Sequence, residues 1–428
     1  MFRYLLIIFL FLEGVLMSQS LSSIEIKGVK VPVIYEKDSH LPITSLQLVV
    51  QKSGSIEDGD RAGLARFTAG MLNEGSKKLG SIGFSSELDQ RAISLSANSG
   101  TETFVFELSC LKEQFAFGVS MLKQLIDDPN FTQESFGKVQ SQTIGYLSSK
   151  ESDFDYIANV NLKKLIYKDT AIEHPYSGDI QSIKELTLKD VEDFYAKHLD
   201  LSNLIIVVGG DIKEDEFKKL IKPLLESLKK GEKRELGWFS ANGDEQEKIV
   251  KKDTEQAYIY FGAPLFMKSG DKERYKSKVA SFILGASGFG SRLMEEVRVK
   301  KGLAYSVYSR NSITKSHSSF TGYLQTKTDN LEKAKKLVKD VISDFVKNGA
   351  TADELEQAKK FLLGSEPLRN ETLSQRLNRA FHEYYEGYKL GYSKVVLDKI
   401  EKLSLKDLND FIRKHSEITK LSYSIVTK

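Results

Sequence analysis

The feature that most constrains the fold of this 428-residue chain is an internal repeat. Residues 186–198, LTLKDVEDFYAKH, and residues 403–415, LSLKDLNDFIRKH, are identical at eight of thirteen positions, at an offset of 217. Both copies have the apolar spacing of an amphipathic helix, and Thr187 and Ser404 stand where N-caps are preferred. A short apolar strand is predicted after each copy, at 204–208 and 421–426. The repeat therefore indicates two homologous halves built from the same elements.

The two predicted halves are separated by a charged segment. Residues 229–248, KKGEKRELGWFSANGDEQEK, contain three glycines and predict a linker. We expect Trp238 to pack this linker down rather than to bind a ligand. The predicted domains are therefore 21–228 and 249–428.

The order of the predicted elements indicates the fold class. Strands are predicted at 24–35, 44–51, 256–262 and 319–326, with a hairpin at 93–111 that turns at 98–100. Helices are predicted at 113–126, 133–149, 214–228, 331–346, 352–363 and 374–385. Because strands and helices do not strictly alternate, we predict an α+β fold with helices on one face of a largely antiparallel sheet.

The N-terminus has the pattern of an export signal. A short basic start is followed by nine consecutive apolar residues, 4–12, and small residues allow cleavage after Ser20. Nine residues are too few to span a bilayer, so residues 1–20 predict a signal peptide and a periplasmic or extracellular location. An uncleaved N-terminal membrane anchor is the alternative. No cysteine follows the apolar run, which argues against a lipoprotein.

Charge and cysteine content exclude several classes of protein. The 62 basic and 59 acidic residues nearly balance, which gives no reason to expect nucleic acid or an acidic membrane surface as a partner. Cys110 is the only cysteine, so no internal disulfide can form, and its apolar surroundings predict a core position.

A segment in the second half places two hydrogen-bond donors near each other. Residues 288–309, GFGSRLMEEVRVKKGLAYSVYS, predict a helix that ends at Gly302, followed by a strand. Arg298 then lies in the last helical turn, and Tyr305 lies near the start of the strand. A guanidinium and a phenol suit the binding of a peptide backbone or a developing oxyanion. The alternative is an exposed helix-end arginine and a half-buried strand tyrosine.

This segment resembles the C-terminal half of the pitrilysin/insulinase family of zinc peptidases, the inverzincins. In that family an arginine, and a tyrosine seven residues later, contact the substrate, and Arg298 and Tyr305 have that spacing. The resemblance covers nearly the whole chain after the predicted signal. It implies two α/β-roll domains that face each other as half of a clamshell.

The matching segment of the first half has lost the zinc motif. The family form G-L-A-H-F-x-E-H-M has two zinc-binding histidines and a general-base glutamate. Residues 63–71 are GLARFTAGM, so Arg66, Ala69 and Gly70 stand at those three positions. The third ligand of the family, a glutamate, is expected near 144–146, where no acidic residue occurs. The resemblance therefore implies that this chain binds no metal or other cofactor at that place.

Other histidines offer little for a metal site. None of the six lies three or four residues from another; they are His40, His174, His198, His317, His382 and His415. His382 and Glu386 have helical i, i+4 spacing, which is more typical of a solvated helix face. His198 and His415 occupy equivalent helix ends in the repeat, where they favour the helix dipole.

The family includes pairs in which one chain carries the zinc motif and its sister carries the arginine and tyrosine. By this resemblance we expect a heterodimeric zinc endopeptidase, with a zinc-bearing paralogous subunit as partner and peptides as substrates. Arg298 and Tyr305 are the expected catalytic contribution of this chain. The alternative is a non-catalytic peptide-binding or scaffold protein of the same fold. A peptidase active on its own is disfavoured.

Overall fold

The computed structural model describes residues 19–428. The predicted signal peptide lies almost entirely outside the described residues, apart from Gln19 and Ser20. Among the described residues, no helix combines the length and the apolar composition that crossing a bilayer requires.

The first half contains six strands and eight helices among the described residues. The strands are β1 (Gln19–Ile26), β2 (Val29–Lys37), β3 (Ile43–Gln51), β4 (Ser94–Ser99), β5 (Thr103–Leu111) and β6 (Leu204–Gly210). The helices are α1 (Leu64–Leu72), α2 (Gly80–Asp89), α3 (Phe115–Asp127), α4 (Gln133–Lys150), α5 (Phe154–Ile166), α6 (Ile180–Glu185), α7 (Leu188–His198) and α8 (Glu214–Ser227).

The second half follows the same plan. Its strands are β7 (Phe239–Ser240), β8 (Glu247–Lys251), β9 (Gln256–Pro264), β10 (Ser306–Ile313), β11 (His317–Lys327) and β12 (Ser422–Thr427). Its helices are α9 (Arg274–Ser281), α10 (Leu331–Asn348), α11 (Ala352–Gly364), α12 (Leu373–Tyr385), α13 (Tyr392–Glu401) and α14 (Leu405–Lys414). Two segments of π-helical geometry, Phe282–Ala286 and Met294–Lys300, complete it.

The two sheets repeat one topology. The first sheet has the order β1-β2-β6-β3-β5-β4, and the second has β8-β12-β9-β11-β10. Without β1 in the first sheet and the two-residue β7, which pairs with β11 in the second, the two orders correspond strand for strand. In each sheet an equivalent pair is parallel, β2 with β6 and β8 with β12, and the next strand inward runs antiparallel. The α+β class predicted from the sequence is confirmed.

The repeated helices form and are capped as predicted. The Thr187 side chain accepts a hydrogen bond from the Asp190 backbone N–H at 3.2 Å, and Ser404 accepts one from Asp407 at 3.1 Å. Such caps satisfy amide groups that the first helical turn leaves free. Each helix then leads to the predicted apolar strand, β6 or β12.

One predicted strand is wrong. Residues 24–35 do not form a single strand, because β1 and β2 are joined by a two-residue turn at Lys27 and Gly28, with φ of 52° and 74°. A tight hairpin of this type requires positive φ at both central residues. Glycine adopts such angles readily, but lysine rarely does, so the turn was not evident from the sequence.

Each sheet is also covered by a helix that comes from the other half of the chain. The prediction of helices on one face of each sheet is therefore incomplete. Leu377, Ala380 and Tyr385 of α12 pack on Ile34, Val49, Ile205 and Val207 of the first sheet. In the opposite direction, α5 lies across β9 and β12 of the second sheet. Gly262 permits this approach, because a Cβ there would lie 3.3 Å from side-chain atoms of Ile166 and Leu162. The two halves are therefore packed together through reciprocal helices.

A buried ion pair also joins the two halves. Arg376 of α12 donates from Nε to Glu36 Oε1 of β2 at 2.5 Å and also pairs with Asp38. The Glu36 side chain is only 1% exposed. A charge so far from water needs a partner, so Arg376 ties the second half to the first sheet.

The segment between the halves is anchored at two residues. Arg234 donates to Asp200 Oδ2 at 2.6 Å and to the carbonyl of His198 at 3.0 Å. Trp238 is half-buried beneath the Lys268 ammonium group, which lies 5.1 Å from the centre of the indole ring. Trp238 thus packs the segment down, as the sequence predicted.

Candidate functional site

The substituted motif positions share one cavity. Arg66, Ala69 and Gly70 lie on α1 and line a cavity of about 350 Å³ whose other walls come from β4 and α4. The three residues that the family resemblance puts at the zinc motif therefore line one cavity.

Asp58 and Gly63 position the motif helix. The two carboxylate oxygens of Asp58 accept the backbone N–H groups of Gly63 and Ala65, each at 2.8 Å. Burial raises the pKa of Asp58 to about 7, although these two backbone donors favour its charged form. Gly63 has φ +95°, and a Cβ there would lie 2.9 Å from backbone atoms of Ser177 and Gly178, so only glycine fits. Asp58 could not be identified from the sequence, because it lies in an irregular loop and its contact with the start of α1 has no local sequence pattern.

The side chains at the three motif positions cannot bind a cation. Arg66 is exposed, and its guanidinium lies 4.9 Å above the ring of Tyr176. Ala69 and Gly70 offer no donor atom, and an arginine cannot ligate a metal. A Cβ at Gly70 would lie 3.2 Å from Val139 Cγ1, so any side chain placed at this position would be crowded.

The wall that should supply the third ligand is equally unsuited. Tyr146 lines the cavity from α4, next to Gln142 and Thr143. The one carboxylate in the lining, Glu74, is paired with Lys138 at 2.6 Å. Within residues 19–428, no group of three histidine, cysteine or acidic side chains is arranged to hold a metal ion. The residues present do not fit zinc.

Arg298 and Tyr305 lie in the second half, on consecutive elements. The helix carrying Arg298 ends in a turn in which the N–H of Gly302 bonds the Arg298 carbonyl at 3.0 Å and that of Leu303 bonds the Val297 carbonyl at 2.9 Å. Gly302 has φ +62°, so the predicted left-handed glycine is confirmed. The Tyr305 N–H donates to the Gln325 carbonyl at 2.8 Å, immediately before β10.

Both side chains face solvent. Tyr305 is 47% exposed, and Arg298 is exposed with its guanidinium 5.1 Å from the ring centre of Phe289, itself 73% exposed. In the described part of the chain, neither side chain makes an ion pair or hydrogen bond. Since β10 is an edge strand of the second sheet, an extended peptide could add beside Tyr305.

The remaining candidates have structural roles. Glu386 pairs with Arg274, which leaves His382 without the acidic partner that its spacing suggested. His198 Nδ1 lies 2.9 Å from the Phe194 carbonyl, and His415 Nδ1 lies 2.8 Å from Glu417 Oε1. Cys110 is buried in the first core, and burial raises its pKa to about 11.

The fold and this site define a two-part, peptidase-like protein with an altered metal motif. Two family models match the chain: insulinase (peptidase family M16) over residues 32–179 and the peptidase M16 inactive domain over residues 185–362. A Helicobacter pylori protein described as "Non-peptidase homolog YmxG" is 43% identical over 412 residues, which are 96% of this chain and 95% of the relative. The chain belongs to the insulinase family, peptidase family M16.

Solved structures agree on the fold. A peptidase M16 inactive domain from Pseudomonas fluorescens superposes with a TM-score of 0.87 at 23% identity, covering 95% of this chain and 98% of its own. A protease from Helicobacter pylori gives 0.83 at 17% identity, covering 96% and 100%. The family resemblance predicted from the sequence is confirmed.

Restoring the motif alone is expected to leave the protein without stoichiometric zinc. The triple variant Arg66→His/Ala69→Glu/Gly70→His supplies two histidines, but Tyr146 gives no third ligand and Val139 crowds position 70. A catalytic zinc site normally has three protein ligands, with water in the fourth position. Metal analysis after dialysis measures the outcome, with circular dichroism confirming that the variant folds. One tightly bound zinc per chain in this variant would contradict the description of the cavity.

Proposed function

We propose that this protein is the non-zinc subunit of a heterodimeric zinc endopeptidase. The observation that carries the proposal is that Arg298 and Tyr305 are exposed on well-packed elements, while residues 19–428 contain no group of side chains arranged to hold a metal ion. Peptide hydrolysis by a metallopeptidase needs a metal-activated water, a general base and donors for the oxyanion. This chain offers only donors, so the zinc and the base would come from a paralogous partner.

In this proposal Tyr305 and Arg298 have different roles in catalysis. The Tyr305 hydroxyl donates a hydrogen bond to the scissile carbonyl oxygen as negative charge develops there. Arg298 holds the backbone of the substrate by its planar set of N–H donors. Unfolded peptides that can extend along β10 are the expected substrates. The name of the Helicobacter relative, a non-peptidase homolog, supports a chain inactive by itself.

The test is reconstitution with a zinc-bearing M16 subunit from the same genome. The two chains are co-expressed with one affinity tag, and hydrolysis of a quenched fluorescent peptide is followed as the ratio of subunits varies. We expect co-purification and turnover that reaches its maximum near one-to-one stoichiometry. Turnover by the zinc-bearing chain that does not change when this chain is added would refute the proposal.

The second candidate is a non-catalytic peptide-binding or scaffold protein. The open edge of β10 beside exposed Tyr305 favours it over a purely structural role. It predicts that a labelled peptide binds the isolated chain, with no gain in turnover in the mixture. The reconstitution experiment separates the two functions, because only the first raises the rate.

We further propose that residues 1–20 direct export to the periplasm or beyond. Support comes from the basic start, the short apolar run and the small residues before Leu21. N-terminal sequencing of the protein from fractionated cells is expected to begin at Leu21. A chain that keeps Met1 and sediments with membranes would support the anchor alternative instead.

A further inference from the structure

A second cavity lies in the second half and plays no part in the proposed peptidase function. Its volume is about 630 Å³, and its walls come from α9, β10, α11, α12 and α13. By the correspondence of the two halves, α9, β10 and α11 stand where α1, β4 and α4 surround the altered zinc motif. The duplication has therefore left two related cavities, with different chemistry in each.

The lining of this cavity carries excess positive charge. The cationic side chains are Arg274, Lys278, Arg310, Arg369 and Arg379, and the acidic ones are Glu366, Glu383 and Glu386. Two ion pairs satisfy part of this set, Arg274 with Glu386 and Arg379 with Glu366. In the described part of the chain, Lys278, Arg310 and Arg369 have no carboxylate partner.

The third carboxylate does not neutralise these cations. Glu383 accepts the backbone N–H groups of Gly391 and Ser393, at 2.6 and 2.7 Å, and holds the start of α13. These neutral donors leave the charge of Glu383 in place, so the five cations and three carboxylates of the lining give an excess of two positive charges. Of the unpaired cations, Arg310 is exposed, whereas Lys278 and Arg369 are partly withdrawn from water, where a bound anion would offset the cost of desolvation.

Lys278 is one of the cations in the lining that have no carboxylate partner in the described part of the chain. It lies on α9 with part of its side chain buried, and it lines the same cavity as Arg369, Arg379, Arg274 and the carboxylate of Glu366. Burial lowers the pKa of Lys278, and these three arginines lower it further. Because Arg274 and Arg379 are paired with carboxylates, the repulsion left uncompensated is that between Lys278 and Arg369, and a bound anion would offset it.

The same cavity has an aromatic wall. The rings of Phe282 and Phe361 lie 4.9 Å apart, and those of Tyr388 and Tyr392 are stacked at 4.0 Å. Aromatic faces next to unpaired cations suit a ligand with an apolar body and a charged end. We propose that this cavity binds an organic anion, a carboxylate or a phosphate attached to an apolar or aromatic group. Lys278 and Arg369 hold the anion in this site.

Small probes with one aromatic ring test the proposal. Phenyl phosphate and 3-phenylpropionate represent the phosphate and carboxylate ligands, and 3-phenylpropionamide is the neutral control of matched shape. Binding is measured by calorimetry at low ionic strength and by the shift in melting temperature, since a ligand of the folded state raises it. We expect at least one anion to bind and the amide to give no response. The stronger anion identifies the headgroup class.

Variants locate the site. Lys278→Met and Arg369→Gln are expected to weaken the anion at least tenfold, because each removes a charged donor. Lys272→Met, which removes an exposed cation outside the lining, is expected to bind as the native protein does. Lys278→Met should also melt at the same or a higher temperature without ligand, since it relieves repulsion.

Several results would overturn the proposal. These are equal binding of the neutral amide, no binding of either anion, or unchanged affinity in Lys278→Met and Arg369→Gln. A loss of affinity in Lys272→Met equal to that in Lys278→Met would also overturn it, by showing that only net charge matters. If Lys278→Met fails to fold, the affinity of Arg369→Gln for the anion is the test, because Arg369 lies in the short turn after α11 and not within an α-helix.

Discussion

Tyr305→Phe is expected to lower the turnover of the assembled peptidase by roughly 10²–10³-fold, the usual cost of removing one oxyanion donor. The ring remains, so packing at the start of β10 is kept and only the hydroxyl is lost. The donor is useful only as the carbonyl oxygen gains charge, so the loss falls on kcat and leaves KM nearly unchanged. Steady-state kinetics of the reconstituted heterodimer measure both constants.

Tyr308→Phe is the matched control for this variant. Tyr308 lies three residues further along, is 38% exposed, and packs its ring against Tyr323 with centroids 5.5 Å apart. Loss of its hydroxyl is expected to change kcat less than twofold. Arg298→Ala is expected to act mainly on KM, since the arginine holds the substrate backbone in the ground state as well. Native turnover in Tyr305→Phe would remove this tyrosine from the mechanism.

Arg376→Met is expected to reduce the free energy of unfolding by about 3–5 kcal/mol, the usual cost of breaking a buried ion pair. The methionine leaves Glu36 charged and buried without a cationic partner. Gln19, whose side-chain amide lies 2.8 Å from Glu36, is absent from the proposed mature chain that begins at Leu21. Because Arg376 belongs to α12 and Glu36 to β2, the loss falls on the contact between the two halves. Urea unfolding followed by circular dichroism measures the change.

The double variant Glu36→Gln/Arg376→Met isolates the buried charge. A neutral glutamine no longer needs the arginine, so the double variant is expected to recover much of the stability lost in Arg376→Met. A decrease below about 1 kcal/mol in the single variant would show that the pair behaves as an exposed one. The reciprocal packing of the halves would then depend on apolar contacts alone.

Much of the local structure could be predicted from the sequence. The predicted ends of α3, α4, α8, α10, α11 and α12 all fall within two residues of the observed ones. Apolar periodicity and capping residues determine those ends, and both are local properties. The repeat likewise predicted α7 and α14, because the duplicated residues are those that form the helix and bury it.

The packing between the halves could not be predicted in the same way. The spacing in α12 indicated an apolar face, but not that Leu377 and Ala380 cover the sheet of the other half. Helix α5 was not predicted at all, since its polar residues interrupt the apolar pattern. Which surface a helix covers depends on the complementary surface, and for both helices that surface lies at least 90 residues away in the chain.

The site was predicted in part, for a similar reason. Arg66, Ala69 and Gly70 were identified because the rest of the motif is retained, and the structure places them in one cavity. The crowding by Val139 and the loop carboxylate of Asp58 depend on the distance between elements, which no local pattern contains. The catalytic roles of Arg298 and Tyr305 stay predictions, although their exposure leaves both available to a substrate.

The central claim is that this chain supplies donors for catalysis but no metal. The most direct measurement is the zinc content of the isolated polypeptide, determined together with its hydrolysis of a fluorescent peptide after dialysis against zinc. We predict far less than one zinc per chain and no hydrolysis above the rate without protein. One zinc per chain, with proteolysis that a chelator abolishes, would contradict the claim.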